Sequence, residues 1–173
     1  RLFWRLIHNI LRKEHWFEKR FFITMCAFEQ NEKGMDFFMK KIGNQSYNLE
    51  NCVSILNTAC IVGPKEKDGP LAKFFDKCID DEFWGEESWE KAESKFVKET
   101  TELVINKAGL SVKDIDFCFA GDLINQCISS SFGLRDLNIP FFGVFGACST
   151  FVETNLLGST VIDGGFANKV LCT

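Results

Sequence analysis

The feature that most constrains this chain is an alternation that starts at Ile42. Short apolar runs, each too short for a helix, take turns with longer stretches of helical periodicity. Asn51 to Asn57 reads as a strand bounded by Asn, and Gly63 to Pro70 as a loop, since Gly-Pro pairs punctuate structure. Apolar residues at 71, 74, 75, 78 and 79 predict a helix between Leu71 and Phe83. Ser88 is placed to cap a helix with Trp89, Ala92, Phe96, Leu103 and Val104 inward and its Lys and Glu outward, stopped at Gly109. Ile115 to Ala120 is a strand, Ser130 to Leu137 a helix and Phe141 to Phe145 a second buried strand. Gly146-Ala147-Cys148-Ser149-Thr150 turns into a helix running to about Ile162, and Lys169 to Cys172 begins another strand. Strands alternating with helices of ten residues or more define an α/β layer with a mainly parallel sheet and helices on its faces. The last strand has no cover after it, so the chain is expected to stop within its domain.

Before Ile42 the character differs. Residues 1–41 hold 9 Lys+Arg against 5 Asp+Glu; residues 42–173 hold 11 against 19. Both histidines, His8 and His15, lie in the first part. Residues 1–24 interleave bases with aromatics, with Phe3, Leu6, Ile7, Ile10 and Leu11 at helical spacing. One reading is a basic amphipathic helix on a membrane surface. The other is an appended segment foreign to the domain behind it, because the composition breaks at Met39-Lys40-Lys41, which resembles a natural start. The division drawn is 1–38 appended and 39–173 domain.

Several function classes are excluded early. The net charge of -4 argues against a general nucleic-acid binder. No apolar run approaches the roughly 18 residues that span a bilayer. The eight cysteines contain no CxxC pair, and no secretory h-region with a cleavage site is present, so a reducing, intracellular setting is expected. Gly63 and Gly69 do not form a Walker A loop, and there is no GxGxxG, so no nucleotide site or cofactor is expected. Asp80, Asp81, Glu82, Glu86 and Glu87 lack calcium-loop spacing and read as a solvated helix end. With no His after Ile42, neither a Cys–His pair nor a transition-metal site can be completed there.

Two candidates for chemistry remain. Cys148 lies between an apolar strand and a helix start, where backbone N–H groups and the helix dipole favour a thiolate; the alternative is a buried Cys at a strand–helix junction. The stretch Gly121-Asp122-Leu123-Ile124-Asn125-Gln126 lies just past the carboxyl end of a strand, where ligands gather in open α/β sheets. Its alternative is ordinary loop chemistry, with Asp and Asn bonding their own backbone.

Four stretches together carry a family resemblance: Val62-Gly63-Pro64-Lys65-Glu66 with Gly69-Pro70-Leu71, Ala120 to Gln126, Phe145 to Thr150, and Ile162-Asp163-Gly164-Gly165-Phe166-Ala167. In this order they resemble the stage V sporulation AD family of spore-forming bacteria, within the thiolase-like (condensing-enzyme) superfamily. The resemblance covers roughly Met39 to Thr173. It implies the N-terminal part of a thiolase-like fold, with Cys148 at the superfamily's nucleophile position. It implies a non-catalytic protein that binds dipicolinic acid, as its calcium chelate, and works with membrane components of the spore transport system, peripheral to the spore inner membrane. Asp122 and Cys148 would line the pocket, with Asn125, Gln126, Ser149 and Thr150 as neighbours. A homodimer would form near Phe141 to Phe145. A helix N-terminus at Ser149 suits an anion. Asp122 does so only when calcium or a proton bridges it. The competing reading is an acyl-transferring condensing enzyme of thiolase or ketoacyl-synthase type using Cys148.

Overall fold

The computed structural model describes residues 22–31, 41–123 and 126–173, with the backbone alone described for 22–31 and for 52. Its frame is a six-stranded mixed sheet. The strands are β1 (Phe22–Asn31), β4 (Cys52–Val62), β5 (Lys77–Cys78), β6 (Phe117–Ala120), β7 (Phe141–Gly143) and β8 (Lys169–Cys172), in the order β5-β4-β1-β8-β6-β7. β2 (Lys41–Ile42) and β3 (Ser46–Tyr47) form a separate two-stranded ribbon. The helices are α1 (Pro64–Lys67), α2 (Trp89–Lys107), α3 (Ile128–Leu134) and α4 (Thr150–Asp163).

Side-chain alternation along the strands divides the core between the sheet's two faces. From β6 and β8, Cys118, Ala120 and Leu171 point to the face covered by α2 and α3, where they meet Val97, Val104, Ile105 and Leu134. Phe119, Val170 and Cys172 point the other way, onto Ile162 of α4. Burial pushes the Cys118 thiol up to about 12, the mark of an inert core cysteine. Gly158 permits the close approach of α4: a methyl there would stand 2.5 Å from Cys172 Sγ.

The α/β reading holds, and so do its best-patterned elements. Helix α2 begins where Ser88 predicts, with Ser88 Oγ accepting from Lys91 N at 3.3 Å, and Gly109 beyond it takes φ +68. Parallel pairing joins β4 to β5, β6 to β7 and β6 to β8. Elsewhere the expectations need correction. The stretch from Leu71 to Phe83 is not a helix: it holds a 3₁₀ turn at Ala72–Phe74 and then β5. The cause is tertiary. Asp76 Oδ2 accepts from Cys60 N at 2.9 Å and its Oδ1 from Lys107 Nζ at 2.6 Å, which ties the segment to the β4 edge. The Gly63 to Pro70 loop holds the single turn α1, with Pro64 at the first helical position. Strand β4 runs to Val62 rather than ending at Asn57. The sheet's centre is antiparallel: β1 pairs antiparallel with β4 on one side and with β8 on the other. The amphipathic-helix reading of residues 1–24 falls on residues 1–21, outside those described, and on 22–24, which are strand.

Candidate functional site

The site is built where parallel strands β6 and β7 end side by side. Past β6, Gly121 fits against the end of β7 and the first residue of α4. A methyl at Gly121 would lie 2.3 Å from Val144 O and 2.6 Å from Thr150 Cγ2. Val144 N donates to Ala120 O at 2.9 Å, locking the same crossing. The Asp122 loop and the Cys148 turn are therefore neighbours because glycine alone fits between them.

The Cys148 turn is a 3₁₀ turn, Ala147–Ser149, that runs directly into α4. Cys148 is exposed at its crest, so the alternative of a buried junction cysteine does not apply. Ala147 adopts φ +48, a left-handed conformation that a residue bearing a Cβ takes only when its surroundings impose it. The surroundings are visible. Ser149 Oγ donates to Gly146 O at 2.7 Å, and Gly146 N donates to Thr150 Oγ1 at 3.2 Å. At Gly146 a methyl would come within 2.5 Å of Glu153 Oε2 and Ser149 Oγ, so both side chains would have to turn away to admit one. Ser149 is exposed and Thr150 is buried. The fourteen-residue α4 thus starts two residues after an exposed cysteine, with its positive end at the turn.

Asp122 sits differently. It is buried, and its Oδ2 accepts from Ser130 N at 3.0 Å and Ser130 Oγ at 2.9 Å. Its carboxylate satisfies the first turn of α3, the orphan donors that every helix start leaves. Behind it stands Glu93 of α2, 6% exposed, which sequence periodicity places on the outward face. Burial pushes the Glu93 carboxyl up to about 7; Ser129 and the Leu123 backbone pull it down, while the negative charges of Asp122 and Glu90 add to the rise. Yet neither Glu93 Oε2 nor Ser129 Oγ closes a hydrogen bond, and both atoms are buried. Burial, followed by the Asp122 charge, also raises the Cys127 thiol. Cys127 Sγ reaches Val144 O at 3.1 Å, a further tie between the β6 loop and β7.

Of the residues singled out from sequence, the structure brings Asp122, Cys148, Ser149 and Thr150 to one end of the sheet. Gln126 joins them, exposed and at φ +49. Asn125 lies outside the described residues. Glu93, Ser130 and Glu153 were missed. Glu93 and Glu153 look like ordinary solvated acids on their helices, and Ser130 signals a helix start rather than the partner of a carboxylate eight residues earlier. The acidic stretch is not the helix end expected, since β5 rather than a helix precedes it; it forms the turn between β5 and α2, where Asp81 Oδ2 accepts from Gly85 N at 2.8 Å, Glu86 pairs with Lys95 at 3.2 Å and Glu87 with Lys91 at 2.6 Å. Among the described residues, no group of three or more His, Cys, Asp or Glu could hold a metal ion. None of their helices is long and apolar enough to cross a membrane.

Fold and geometry together define an α/β protein whose candidate residues gather at the carboxyl side of its parallel strands, the usual place for ligands in such sheets. The family model described as Stage V sporulation protein AD (SpoVAD) matches residues 43–173. Stage V sporulation protein AD of Bacillus subtilis (strain 168) is 41% identical over 133 residues, which are 77% of this chain and 39% of that protein. The chain belongs to the stage V sporulation protein AD family. It spans 39% of the length of the relative it matches.

Proposed function

We propose that this protein serves sporulation by binding dipicolinic acid, as its calcium chelate, for uptake into the developing spore. It does so without catalysis, on a thiolase-like scaffold. Membership of the stage V sporulation family supports the setting. The observation that carries the site is the exposed Cys148 turn at the positive end of α4, which suits the carboxylates of a small anion. The inward turn of Asp122 helps: its charge is spent on Ser130 and is not presented to an arriving anion. Ser149, Thr150, Gln126 and Asn125 would complete the contact surface. The partners would be membrane components of the spore transport system, reached from a position peripheral to the inner membrane. A second copy would dock at β7, a sheet-edge strand that is exposed rather than buried as its apolar sequence suggests, with Phe142 on it and Phe145 just past it open to solvent.

The test is calorimetric titration of the full-length protein with dipicolinate, with and without calcium. Saturable binding that strengthens when calcium is present supports the chelate; equal binding in both conditions refutes that part, and no binding in either refutes the whole.

One observation favours a second reading, a Cys-dependent acyl transferase. The left-handed Ala147 beside an exposed cysteine is the kind of local strain found at functional turns. In that case the Cys148 thiolate would attack an acyl thioester, form a new thioester and release the carrier thiol. Mass spectrometry after incubation with an acyl thioester separates the readings. The binding protein gains no acyl group on Cys148.

A further inference from the structure

Glu93 stands in the second turn of α2, against the start of α3. Gly133 of α3 sets how close the two helices come: a methyl there would stand 2.6 Å from Ser94 O. Ser129 and Ser130, at the head of α3, are fully buried, and Glu93 is nearly so. An acid in that place destabilises the fold. Its Oε2 and the neighbouring Ser129 Oγ are buried and close no hydrogen bond, and a buried polar atom without a partner forfeits its hydration for nothing. An apolar side chain of similar size would fill the space without that penalty. It could not, however, accept a hydrogen bond, and the Glu93 carboxyl accepts one from the Leu123 backbone.

Leu123 belongs to the connection between β6 and α3, where the backbone is strained. Gln126 and Cys127, consecutive and both bearing side chains, take φ +49 and +72, left-handed conformations that the surroundings must impose. Ties to α3 and β7 hold the ends of the connection. Asp122 Oδ2 accepts from Ser130 N and Oγ. Cys127 O accepts from Ser131 N at 3.0 Å, and Cys127 Sγ donates to Val144 O. Leu123 is placed by neither kind of tie. Its side chain is 60% exposed, so packing does not hold it either, and the Glu93 carboxyl fastens its backbone to α2.

We propose that Glu93 is a positioning residue of the ligand site: by fastening Leu123 to α2 it sets the path of the β6–α3 connection, and with it the place of Gln126 at the Cys148 end of the sheet. For the ligand this rests on the dipicolinate-binding reading; for the connection it rests on geometry alone. Glu93 is buried and reaches no ligand itself. It acts through Gln126, an exposed contact residue, in the way a supporting shell holds a binding group in place. Glutamine at position 93 keeps an accepting carbonyl and so keeps the tie. Methionine or leucine fills the space and breaks it.

Amide hydrogen exchange on the full-length protein tests the tie without any ligand. In Glu93→Met, or in Glu93→Leu should methionine disturb the fold, the Leu123 and Gln126 amides should exchange about tenfold faster than in the wild type while those of α2 do not change. Glu93→Gln should match the wild type. Equal exchange in all the proteins, or quickening in Glu93→Gln as well, would overturn the proposal. Calorimetric titration with calcium dipicolinate then reads the coupling. Glu93→Met and Gln126→Ala should each weaken binding about fivefold, Glu93→Gln should restore it, and the double variant Glu93→Met, Gln126→Ala should bind no worse than the weaker single one, because both act through one contact. Losses that add in the double variant would overturn the coupling. Absence of dipicolinate binding by the wild-type protein would remove the functional reading, while the exchange result still decides whether Glu93 holds the connection.

Discussion

The ends of β6 and β7 lie side by side, yet they direct their chemistry oppositely. Past β7 the chain turns Cys148 and Ser149 outward, with every tie of the turn made by neighbours that do not use the thiol. Past β6 it turns Asp122 inward, onto Ser130 and toward Glu93. Both junctions come from a strand followed by a turn and a helix. The difference lies in what receives the polar group: solvent at one, the buried start of α3 at the other. A residue at a strand's carboxyl end can thus be a ligand contact or a fastening for the next helix, and the hydrogen-bond partners decide which.

Breaking the contact between the junctions should have the largest effect. Gly121→Ala places a methyl against backbone at Val144 and against Thr150, and neither side has room to yield. A loss of about 3 kcal/mol in denaturant unfolding is expected, with weaker binding as the two ends separate.

The next effect concerns pH. Glu93 titrates near 7 in the folded protein against 4.5 as a free side chain. Between those values the folded state keeps a proton that the unfolded chain has released. Stability therefore falls as pH rises through that window and levels off above about 7, by up to about 3 kcal/mol in total. Glu93→Gln should flatten this slope in thermal unfolding followed from pH 4.5 to 8. An unchanged slope would show that Glu93 ionises freely.

Asp122→Ala should cost about 2 kcal/mol, because the Ser130 N–H and hydroxyl both lose their charged acceptor. Amide exchange would report the damage first in α3. The smallest effect on stability belongs to Cys148→Ala, within about 0.5 kcal/mol, as for an exposed residue making no structural contact. Its effect should appear in binding alone, which is what separates the two junctions.

Much of this arrangement is legible in the sequence. The α2 helix announces itself through its apolar spacing and Ser88, and the apolar runs at Phe117 and Lys169 mark β6 and β8. Cys148 is visible because an apolar strand, a glycine and a helix start flank it. What stays hidden depends on distant partners. Leu71 to Phe83 has helical spacing, but Asp76 is drawn to Cys60 and Lys107, contacts that no local pattern encodes. Glu93 sits among lysines and glutamates and is buried because α3 packs over it. The antiparallel centre of the sheet is invisible for a similar reason: β1 precedes the region where strand and helix alternate, and its partners lie from 21 residues (Asn31 to Cys52) to 146 residues (Cys26 to Cys172) further along the chain.

On the proposed function, the outward junction binds the ligand and the inward one supports it. The most direct test is calorimetric titration of calcium dipicolinate into the full-length protein and its Cys148→Ala variant, after their melting temperatures have been shown to match. Saturable binding to the wild-type protein is expected, weakened at least tenfold, about 1.4 kcal/mol, in the variant. Equal affinity in both proteins would contradict it and place any ligand site away from the α4 turn.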